Sequence, residues 1–423
     1  MKTLLESVSP AKEREYEAKC KKFSEDLAHY GSVNIVCFPS YEATLATSIV
    51  IYVLEENNIP FTLTVTPIYT YEEYVNSAVN IIIGCPVVET DLKKVLYIIA
   101  SNLTNVPPKP GLTVFTGITD HDSLPSIAMK VLSELWIIED SMLTIPSLLF
   151  IERIEEDVAG FDAEILAEAE RRGVLEEKTS LKFFFSESLP AYVSLSKTVR
   201  PYIPGITGNE KRAIEFLEDL GIHNYSDTLI QLSERDLSDI AKTIYLILKD
   251  KSLRRRGVNE IIGKVYRHKE SVLEYSGARE KGLLYLSIFG RFGPHGLAYS
   301  FLSKYYIGKV LDLTAEVDKI LSDIVEKILE SEMSEKEGVL VVEVEDESII
   351  PILHITLREL GLLKNGIIVA YSSAQGIIVP YFCILEALDV EKYTKCVLKA
   401  EKFWREWYLV FNNVKELKKV LYQ

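Results

Sequence analysis

The chain is poor in cysteine, methionine and glutamine. It has five cysteines and four methionines in 423 residues, and glutamine occurs only at Gln231, Gln375 and Gln423. The cysteines are Cys20, Cys37, Cys85, Cys383 and Cys396. No two of them form a Cys-x-x-Cys pair, which argues against both a zinc site and a disulfide framework. The scarcity of glutamine beside abundant glutamate, lysine, isoleucine and leucine resembles the bias of hyperthermophile proteins.

Basic residues are also fewer than acidic residues. The formal net charge is −15, from 47 Lys and Arg residues against 62 Asp and Glu residues. A protein that grips duplex nucleic acid alone normally presents a basic face, because counterion release supplies most of the non-specific affinity. Contact with a nucleic acid strand is therefore expected to be local, weak or provided within a complex. The one basic cluster, Arg254-Arg255-Arg256, is interpreted as a solvated loop.

Long apolar runs are missing as well. None approaches the roughly 20 residues that a membrane-spanning helix needs. The segment Met1–Lys22 is charged and lacks the apolar core of a signal peptide, so a cytoplasmic protein is expected. An apolar content of 48% and a charged content of 26% are typical of a globular protein. The length predicts two or three domains.

The order of apolar segments predicts an α/β fold. In the first part of the chain, continuous apolar strands alternate with helices, which predicts a parallel sheet covered on both faces. Strands are expected at Val33–Phe38, Phe61–Val65, Val79–Ile83 and Leu112–Phe115, and helices at Glu42–Glu55, Asp91–Asn102 and Ser123–Leu135.

The middle of the chain is expected to be mostly helical, and the tail to return to α/β. The middle has helices at Phe161–Arg172, Asn209–Leu220, Ser233–Leu248 and Leu311–Leu329, and one strand-like run, Lys182–Phe185. The helix Leu311–Leu329 is expected to bury Leu313, Val317, Ile320, Ile324 and Ile328. The tail has strands at Val339–Val344, Gly366–Ala370 and Gly376–Phe382, and helices at Ile349–Leu360 and Lys392–Glu406.

We therefore expect an N-terminal α/β domain at 1–190, a helical connecting region at 191–335 and a smaller C-terminal α/β domain at 336–423. The charged stretch Ser331–Gly338 is the best candidate for a linker.

The turn after the first strand has the shape of a ligand site but not the usual residues. In a βαβ unit, ligands and metals usually sit at the carboxyl end of the first strand. Here that turn is Pro39-Ser40-Tyr41-Glu42-Ala43. It resembles the first motif of the DHH phosphoesterase superfamily, RecJ nucleases in particular, in which two aspartates two residues apart bind Mn²⁺. Ser40 and Glu42 stand at those positions, and a serine hydroxyl is a poor ligand for a hard divalent cation.

Two further motif positions are altered. Gly84 stands where the resembling nucleases carry a metal-binding aspartate, and a tight turn accounts for the glycine. The run Thr119-Asp120-His121-Asp122 resembles the Asp-His-His signature, with Asp122 in place of the last histidine. These side chains could hold one hard cation. Asp122 also precedes Ser123-Leu124-Pro125 as a helix cap would, just as Glu42 suits a helix N-terminus.

The resemblance continues in order along the chain. The segments Thr198–Asn209, Ala213–Ile222, Glu260–Tyr266, Tyr275–Arg279 and Gly290–Gly293 are similar to the connecting region of archaeal RecJ-type proteins. In the active relatives, the C-terminal DHHA1 domain ends with a strand bearing Ser-x-Arg, which contacts the substrate phosphate. Pro380 and Phe382 stand there, and phenylalanine cannot supply the guanidinium fork that a phosphate needs.

The resemblance implies a degenerate, non-catalytic member of the superfamily, with no metal and no cofactor. In particular, it implies an archaeal counterpart of the RecJ-related cell-division-cycle subunit of the CMG helicase, a scaffold that binds the GINS complex and associates with the MCM motor. It also implies local contact with single-stranded DNA through Arg200, Gly290, Arg291 and Gly293. An ordinary turn is the alternative role for the two glycines.

Other interpretations stay open. A Mn²⁺-dependent single-strand exonuclease would use Glu42, Asp120 and His121, and a small-molecule phosphodiesterase of the same superfamily would need that metal too. A repair or recombination accessory would bind strands without GINS. The aromatic residues Phe403, Trp404, Trp407 and Tyr408, expected on the last helix, are either an apolar patch for GINS or buried against the C-terminal sheet.

Overall fold

A computed structural model describes most of the chain. The described residues are 10–70, 73–86, 96–100, 112–117, 119, 122–153, 158–250, 261–272, 275–330, 339–363, 368–374, 376–399, 403–404 and 406–422. Four sequence predictions lie outside them, namely Asp120, His121, the arginine cluster Arg254–Arg256 and the linker Ser331–Gly338. No helix within the described ranges is long and apolar enough to cross a membrane.

The N-terminal part contains a five-stranded parallel sheet with the strand order β2-β1-β3-β4-β5. Its strands are β1 Val33–Cys37, β2 Phe61–Val65, β3 Val79–Ile83, β4 Leu96–Ile99 and β5 Leu112–Phe115. The order reverses between β1 and β3, and in such sheets ligands bind at the carboxyl ends of the strands beside this reversal. The predicted α/β fold is confirmed.

A polar ladder aligns the three strands at this reversal. Asn34 lies opposite Thr62 on one side and Asn80 on the other. Asn34 donates from Nδ2 to Asn80 Oδ1 at 2.8 Å and accepts from Thr62 Oγ1 at 2.8 Å. Because a slip in register would leave these buried amides unpaired, the ladder fixes where the strands end.

Helices cover this sheet. They are α1 Pro10–Tyr30, α2 Tyr41–Glu56 and α3 Leu124–Ser133. Helix α2 starts at Ser40, whose Oγ accepts a hydrogen bond from the Ala43 N–H at 3.2 Å. Helix α3 starts in the same way at Ser123, which accepts from the Ser126 N–H at 3.2 Å and is followed by a proline in the first turn.

The predicted helix Asp91–Asn102 is wrong where the structure describes it. Leu96–Ile99 form strand β4, which pairs in parallel with β3 and with β5. Tyr97, Ile98 and Ile99 are buried. A short apolar run is compatible with either a buried strand or a buried helix. Here the segment forms a strand because it pairs with two parallel neighbours.

The middle of the chain combines helices with a small antiparallel sheet. Its helices are a 3-10 helix Met142–Ile151, α4 Gly160–Arg171, α5 Ala191–Lys197, α6 Glu210–Asp219, a 3-10 helix Leu229–Gln231, α7 Glu234–Asp250, α8 Ala278–Tyr299 and α9 Tyr305–Glu330. Its strands are β6 Leu175–Leu181, β7 Ile262–Val272 and β8 Tyr275–Gly277, in the order β6-β7-β8.

The predicted strand Lys182–Phe185 is also wrong, because β6 ends at Leu181. The backbone N–H groups that follow bond to side chains instead of a neighbouring strand. Phe184 donates to Thr198 Oγ1 at 2.9 Å, and Phe185 donates to the Glu280 carboxylate. The aromatic side chains that suggested a strand are buried in the core of the middle part.

The C-terminal part has a second five-stranded sheet, with the order β12-β13-β11-β10-β9. Its strands are β9 Val339–Glu343, β10 Ile368–Ser373, β11 Gly376–Pro380, β12 Phe403–Trp404 and β13 Tyr408–Phe411. Its helices are a 3-10 helix Glu347–Ile349, α10 Ile350–Glu359, α11 Tyr381–Ala387, α12 Val390–Lys399 and α13 Val414–Tyr422. The division of the chain at residues 190 and 335 stays a prediction.

Two predictions for the tail are corrected. The strand expected to reach Phe382 stops at Pro380, and Phe382 lies in α11. The helix expected over Lys392–Glu406 stops at Lys399 and gives way to β12 and β13. Trp407 and Tyr408 are both 0% exposed, so these two residues are core and not an apolar surface patch.

Helix α9 buries a different face from the predicted one. Its buried apolar residues are Ile307, Val310, Val317, Leu321 and Val325, of which only Val317 was expected. The predicted stripe Leu313, Ile320, Ile324 and Ile328 is only half-buried. Packing against α8 selects the buried face, which the helical period alone cannot do.

Candidate functional site

The first two motif positions lie at the reversal of strand order, as predicted. Ser40 follows β1, and its hydroxyl is engaged as the N-cap of α2. Glu42 lies in the first turn of the same helix. Its Oε1 accepts a hydrogen bond from the backbone N–H of Leu124, the first residue of α3, at 3.0 Å. Burial raises the pKa of the Glu42 carboxyl, against the Leu124 hydrogen bond and the Arg153 charge, which lower it.

Gly84, after β3, has no room for a side chain. Its φ is +66°, and a Cβ placed there would lie 3.0 Å from Ala43 Cβ and 3.0 Å from Leu124 Cδ1. A residue in this left-handed conformation is strained unless it is glycine. The position that would carry a metal-binding aspartate is therefore closed by the backbone conformation and by two methyl groups.

Asp122 is a helix cap, but not of the helix that was predicted. Ser123 caps α3, while Asp122 Oδ1 accepts from the Phe161 N–H in the first turn of α4 at 2.6 Å. Its Oδ2 accepts from the Thr119 N–H at 2.8 Å. Both carboxylate oxygens are thus bound to backbone donors, and the side chain is 5% exposed.

The residues at these positions do not fit a pair of Mn²⁺ ions. Two-metal phosphodiester hydrolysis needs several carboxylates and imidazoles converging on ions about 4 Å apart. Ser40, Glu42 and Asp122 are engaged with backbone N–H groups, and Gly84 has no side chain. Within the described ranges, no three His, Cys, Asp or Glu side chains are grouped as metal ligands.

A cleft of about 290 Å³ opens beside Ser40 and Glu42, between the N-terminal part and the C-terminal helices α10 and α11. Apolar residues, among them Phe289 and Phe382, form part of its wall. Its acidic and basic lining comprises Glu42, Glu152, Arg153, His354, Arg358 and Glu386. The two halves of the predicted site, at Glu42 and at Phe382, are therefore brought together on one cleft.

The basic side chains of this cleft are paired with acidic side chains of the protein. Arg358 pairs with Glu386, with Nη1 3.0 Å from Oε1, and Nε2 of His354 lies 3.0 Å from the other oxygen of Glu386. Arg153 Nη1 pairs with Asp162 Oδ2 at 2.6 Å. Arg358 also donates to the backbone oxygen of Glu152 at 3.2 Å, which joins α10 to the end of the 3-10 helix Met142–Ile151.

The cleft carboxylates differ in protonation. Burial, with the nearby charges of Glu42 and Glu386, raises the pKa of Glu152 to about 7, against the opposing charge of Arg358. Burial also acts to raise the pKa of Glu386, but the hydrogen bond and charge of His354 together with Arg358 outweigh it and lower that pKa. Near neutral pH, the cleft therefore holds one carboxyl group that is partly protonated and one that is ionised.

The C-terminal motif positions offer an aromatic surface and no phosphate ligand. Phe382 stacks on Trp407, with ring centroids 6.3 Å apart and an interplanar angle of 4°, and meets His354 edge-on at 5.3 Å. Pro380 ends β11 and does not line the cleft.

Comparison with known proteins identifies the architecture. A family model described as archaeal Cdc45 matches residues 126–279. The crystal structure of CDC45 from Entamoeba histolytica aligns with 96% of this chain and 98% of its own, at a TM-score of 0.63 and 12% identity. The chain therefore has the fold of Cdc45. The resemblance predicted from the motifs is confirmed.

Two RecJ structures also align with this chain, at lower scores. RecJ in complex with Mn²⁺ from Thermus thermophilus covers 96% of this chain and 54% of its own, with a TM-score of 0.42 and 11% identity. An exonuclease RecJ bound to manganese covers 96% and 92%, with a TM-score of 0.42 and 10% identity. No curated protein sequence matches the chain.

The chain buries Arg200, which corrects its prediction as a contact with DNA. Arg200 is 2% exposed, and its Nη1 donates to the backbone oxygens of Phe150 and Ile151. Its Nε lies 3.8 Å from Oε2 of Glu359 in α10, which is also buried. Arg200 thus ties the connecting region to the C-terminal part.

The two glycines predicted to contact single-stranded DNA, Gly290 and Gly293, are buried and contribute to packing. A Cβ on Gly290 would collide with the backbone oxygen of Ser348, so glycine lets α8 approach the 3-10 helix Glu347–Ile349. Gly293 has a φ of +71° and forms the kink within α8. The alternative of an ordinary turn is wrong for Gly290, which lies within α8, whereas Gly293 interrupts the helix. Arg291 is the exposed member of the set.

The sequence interpretation missed most of the cleft. Glu152, Arg153, His354, Arg358 and Glu386 come from segments that no motif marked. The one usable signal was the spacing of His354 and Arg358, which are four residues apart on a predicted helix and so share a face. Counting the histidines, which are scattered along the chain, does not reveal such a pair.

Proposed function

We propose that this Cdc45-like chain is a non-catalytic scaffold subunit of an archaeal replicative helicase, which binds the GINS complex and associates with MCM. The archaeal Cdc45 family match and the whole-chain Cdc45 fold support the proposal. The observation that carries the non-catalytic part is the closed position at Gly84, beside carboxylates already bound to backbone N–H groups.

The cleft suits a role in rigidity. A nuclease needs an open path for its substrate, whereas here Arg358 links Glu386 to the Glu152 backbone across the cleft and Arg200 links Glu359 to Phe150 and Ile151. The buried Arg200–Glu359 pair holds the N-terminal and C-terminal parts in one relative position, because breaking a buried pair leaves an uncompensated charge. The half-exposed Arg358–Glu386 pair adds a contact across the cleft. A scaffold uses that fixed geometry to present its outer surfaces to partners. As part of the replisome, the protein would act at the nucleoid in the cytoplasm.

The partner proposal is tested by reconstitution. Recombinant chain, archaeal GINS and MCM are mixed and separated by size-exclusion chromatography with light scattering, and an unrelated acidic protein of similar size serves as the control for charge. We expect a stable complex with GINS and co-migration with MCM when GINS is present. Failure to bind GINS at micromolar concentrations, where the components are monodisperse, would overturn the proposal.

The exposed Arg291 favours a second function, local contact with single-stranded DNA, which a repair accessory would share. One phosphate contact adds about one unit to the slope of log affinity against log salt. Fluorescence anisotropy with a labelled oligonucleotide should therefore show a lower slope for Arg291→Ala. DNA affinity without GINS binding would favour the accessory role.

A further inference from the structure

Strand β9 has an outer edge that no described strand covers. β9 is the last strand of the C-terminal sheet and pairs only with β10 among the described strands. Val344 donates its backbone N–H to Ser372 at 2.9 Å, toward β10. Because backbone directions alternate along a strand, the N–H and C=O groups of Val341 and Glu343 point away from β10. Val341 is 38% exposed.

Among the described residues, this edge lacks the usual protection. Proteins blunt exposed edges with lysine, proline or bulges, or cover them. β9 reads Val339-Leu340-Val341-Val342-Glu343 and pairs with β10 in continuous register, so it has none of the first three. The opposite edge of this sheet differs, because β12 is only two residues long.

An apolar wall faces this edge. A groove of about 660 Å³ lies between β9 and α9, and Ile320, Ile324 and Ile328 of α9 line it. Their spacing of four residues places them in one row along the helix. They are half-buried because α9 turns its other face to the core. The groove thus combines outward-facing strand groups with apolar side chains.

The rim of the groove is acidic. Asp323, Glu343, Glu345 and Asp346 line it and are exposed, against one lysine, Lys327. No ion pair within the described part of the chain neutralises any of these four carboxylates. An occupant carrying positive charge is therefore favoured over a neutral or acidic one.

We propose that β9 binds an extended segment of a partner protein by strand addition, and that this segment alternates apolar residues with lysine or arginine. The backbone of the segment would pair with Val341 and Glu343, its apolar side chains would pack on Ile320 and Ile324, and its basic side chains would meet the acidic rim. This inference does not depend on the identity of the helicase partners.

The test uses the full chain and a fluorescein-labelled synthetic peptide, acetyl-(Lys-Val)₄-amide, followed by fluorescence anisotropy. A protein of net charge −15 attracts any basic peptide, so the decisive comparison keeps charge constant. Methylating alternate backbone nitrogens of the peptide removes its strand hydrogen bonds and retains its lysines. We expect saturable binding of the parent peptide and at least tenfold weaker binding of the methylated one.

Two variants of the chain test the same point from the other side. Val341→Pro removes an outward N–H and leaves the β10 pairing intact, since proline is tolerated at such edge positions. It should weaken binding at least tenfold, while Val341→Thr, which keeps the N–H, stays within twofold. Glu343→Lys should weaken binding more than Glu391→Lys, whose site is an exposed acid away from the groove.

Several results would overturn the proposal. They are equal binding of the methylated peptide, no effect of Val341→Pro in a folded variant, and equal affinity for acetyl-(Glu-Val)₄-amide. Dimerisation of the chain that Val341→Pro abolishes would place a second copy on β9 instead. Binding of an amphipathic helical peptide in the same groove, unaffected by Val341→Pro, would show that the occupant is a helix.

Discussion

The Glu42 carboxylate accepts a hydrogen bond from the Leu124 backbone N–H at 3.0 Å. Glu42, in the first turn of α2, therefore binds the N-terminus of α3, the helix that follows β5. An anionic oxygen is favoured there by the unpaired N–H groups of the first helical turn. This hydrogen bond links the packing of α2 and α3 to the acidic position of the first motif.

Gly84→Ala should destabilise the fold more than Gly31→Ala. Both glycines have nearly the same φ, +66° and +67°, but a Cβ at Gly31 has nothing within 4 Å. We expect a loss of about 1 to 2 kcal/mol at Gly31 from backbone strain alone. Overpacking against Ala43 and Leu124 raises the loss at Gly84 to about 2 to 5 kcal/mol. Urea denaturation measures both, and equal losses would mean that position 84 has room for a ligand.

Arg200→Ala should reduce the free energy of unfolding by about 3 to 5 kcal/mol, because it leaves Glu359 buried without its cation. Arg291→Ala is the matched control, since Arg291 is exposed, and should change stability by less than about 0.5 kcal/mol. A stable Arg200→Ala variant with impaired DNA binding would restore Arg200 as a strand contact.

Glu152→Gln should change how stability depends on pH. The native pKa of Glu152 is raised to about 7, so the native state holds its proton more tightly than the unfolded chain does. The stabilisation from this proton is complete below the unfolded pKa and is lost as pH rises through about 7. Between about pH 5 and 8, the wild type should lose about 1 to 3 kcal/mol relative to Glu152→Gln. Glu391→Gln, at an exposed position, is the control, and identical profiles for all three proteins would refute the raised pKa.

The Arg358 and Glu386 pair should contribute little stability by itself. Their side chains are 36% and 45% exposed, so a double-mutant cycle with alanine should give a coupling of about 0.5 to 1 kcal/mol. Arg358→Ala should nevertheless increase amide exchange at the end of the 3-10 helix Met142–Ile151, because the hydrogen bond to the Glu152 backbone is lost. Unchanged exchange there would argue against a link across the cleft.

The sequence predicted the strands and helices around Ser40 and Glu42 well, because β1, β2 and β3 are short apolar runs bounded by turn residues. It failed where neighbours in space decide. Leu96–Ile99 form a strand because they pair with both β3 and β5. Helix α9 buries a face other than the predicted one because that face packs against α8. Arg200 was expected at the surface, since arginine is seldom fully buried unless paired. Its partner Glu359 is distant in sequence, so the pair has no local signal.

The cleft could be predicted only by its motif positions. Ser40, Glu42 and Phe382 were identified because a resemblance marked them. Arg153, His354 and Arg358 were not, because their role depends on Asp162 and Glu386 in other segments. Ion pairs between remote segments leave no periodic pattern in a single sequence.

The central claim is that the cleft beside Glu42 does not hold a pair of metal ions. Titration of the purified chain with Mn²⁺, followed by electron paramagnetic resonance, tests it directly. We expect only weak binding to scattered surface carboxylates, which Glu42→Gln leaves unchanged. Two tightly bound, exchange-coupled ions that Glu42→Gln releases would contradict the account.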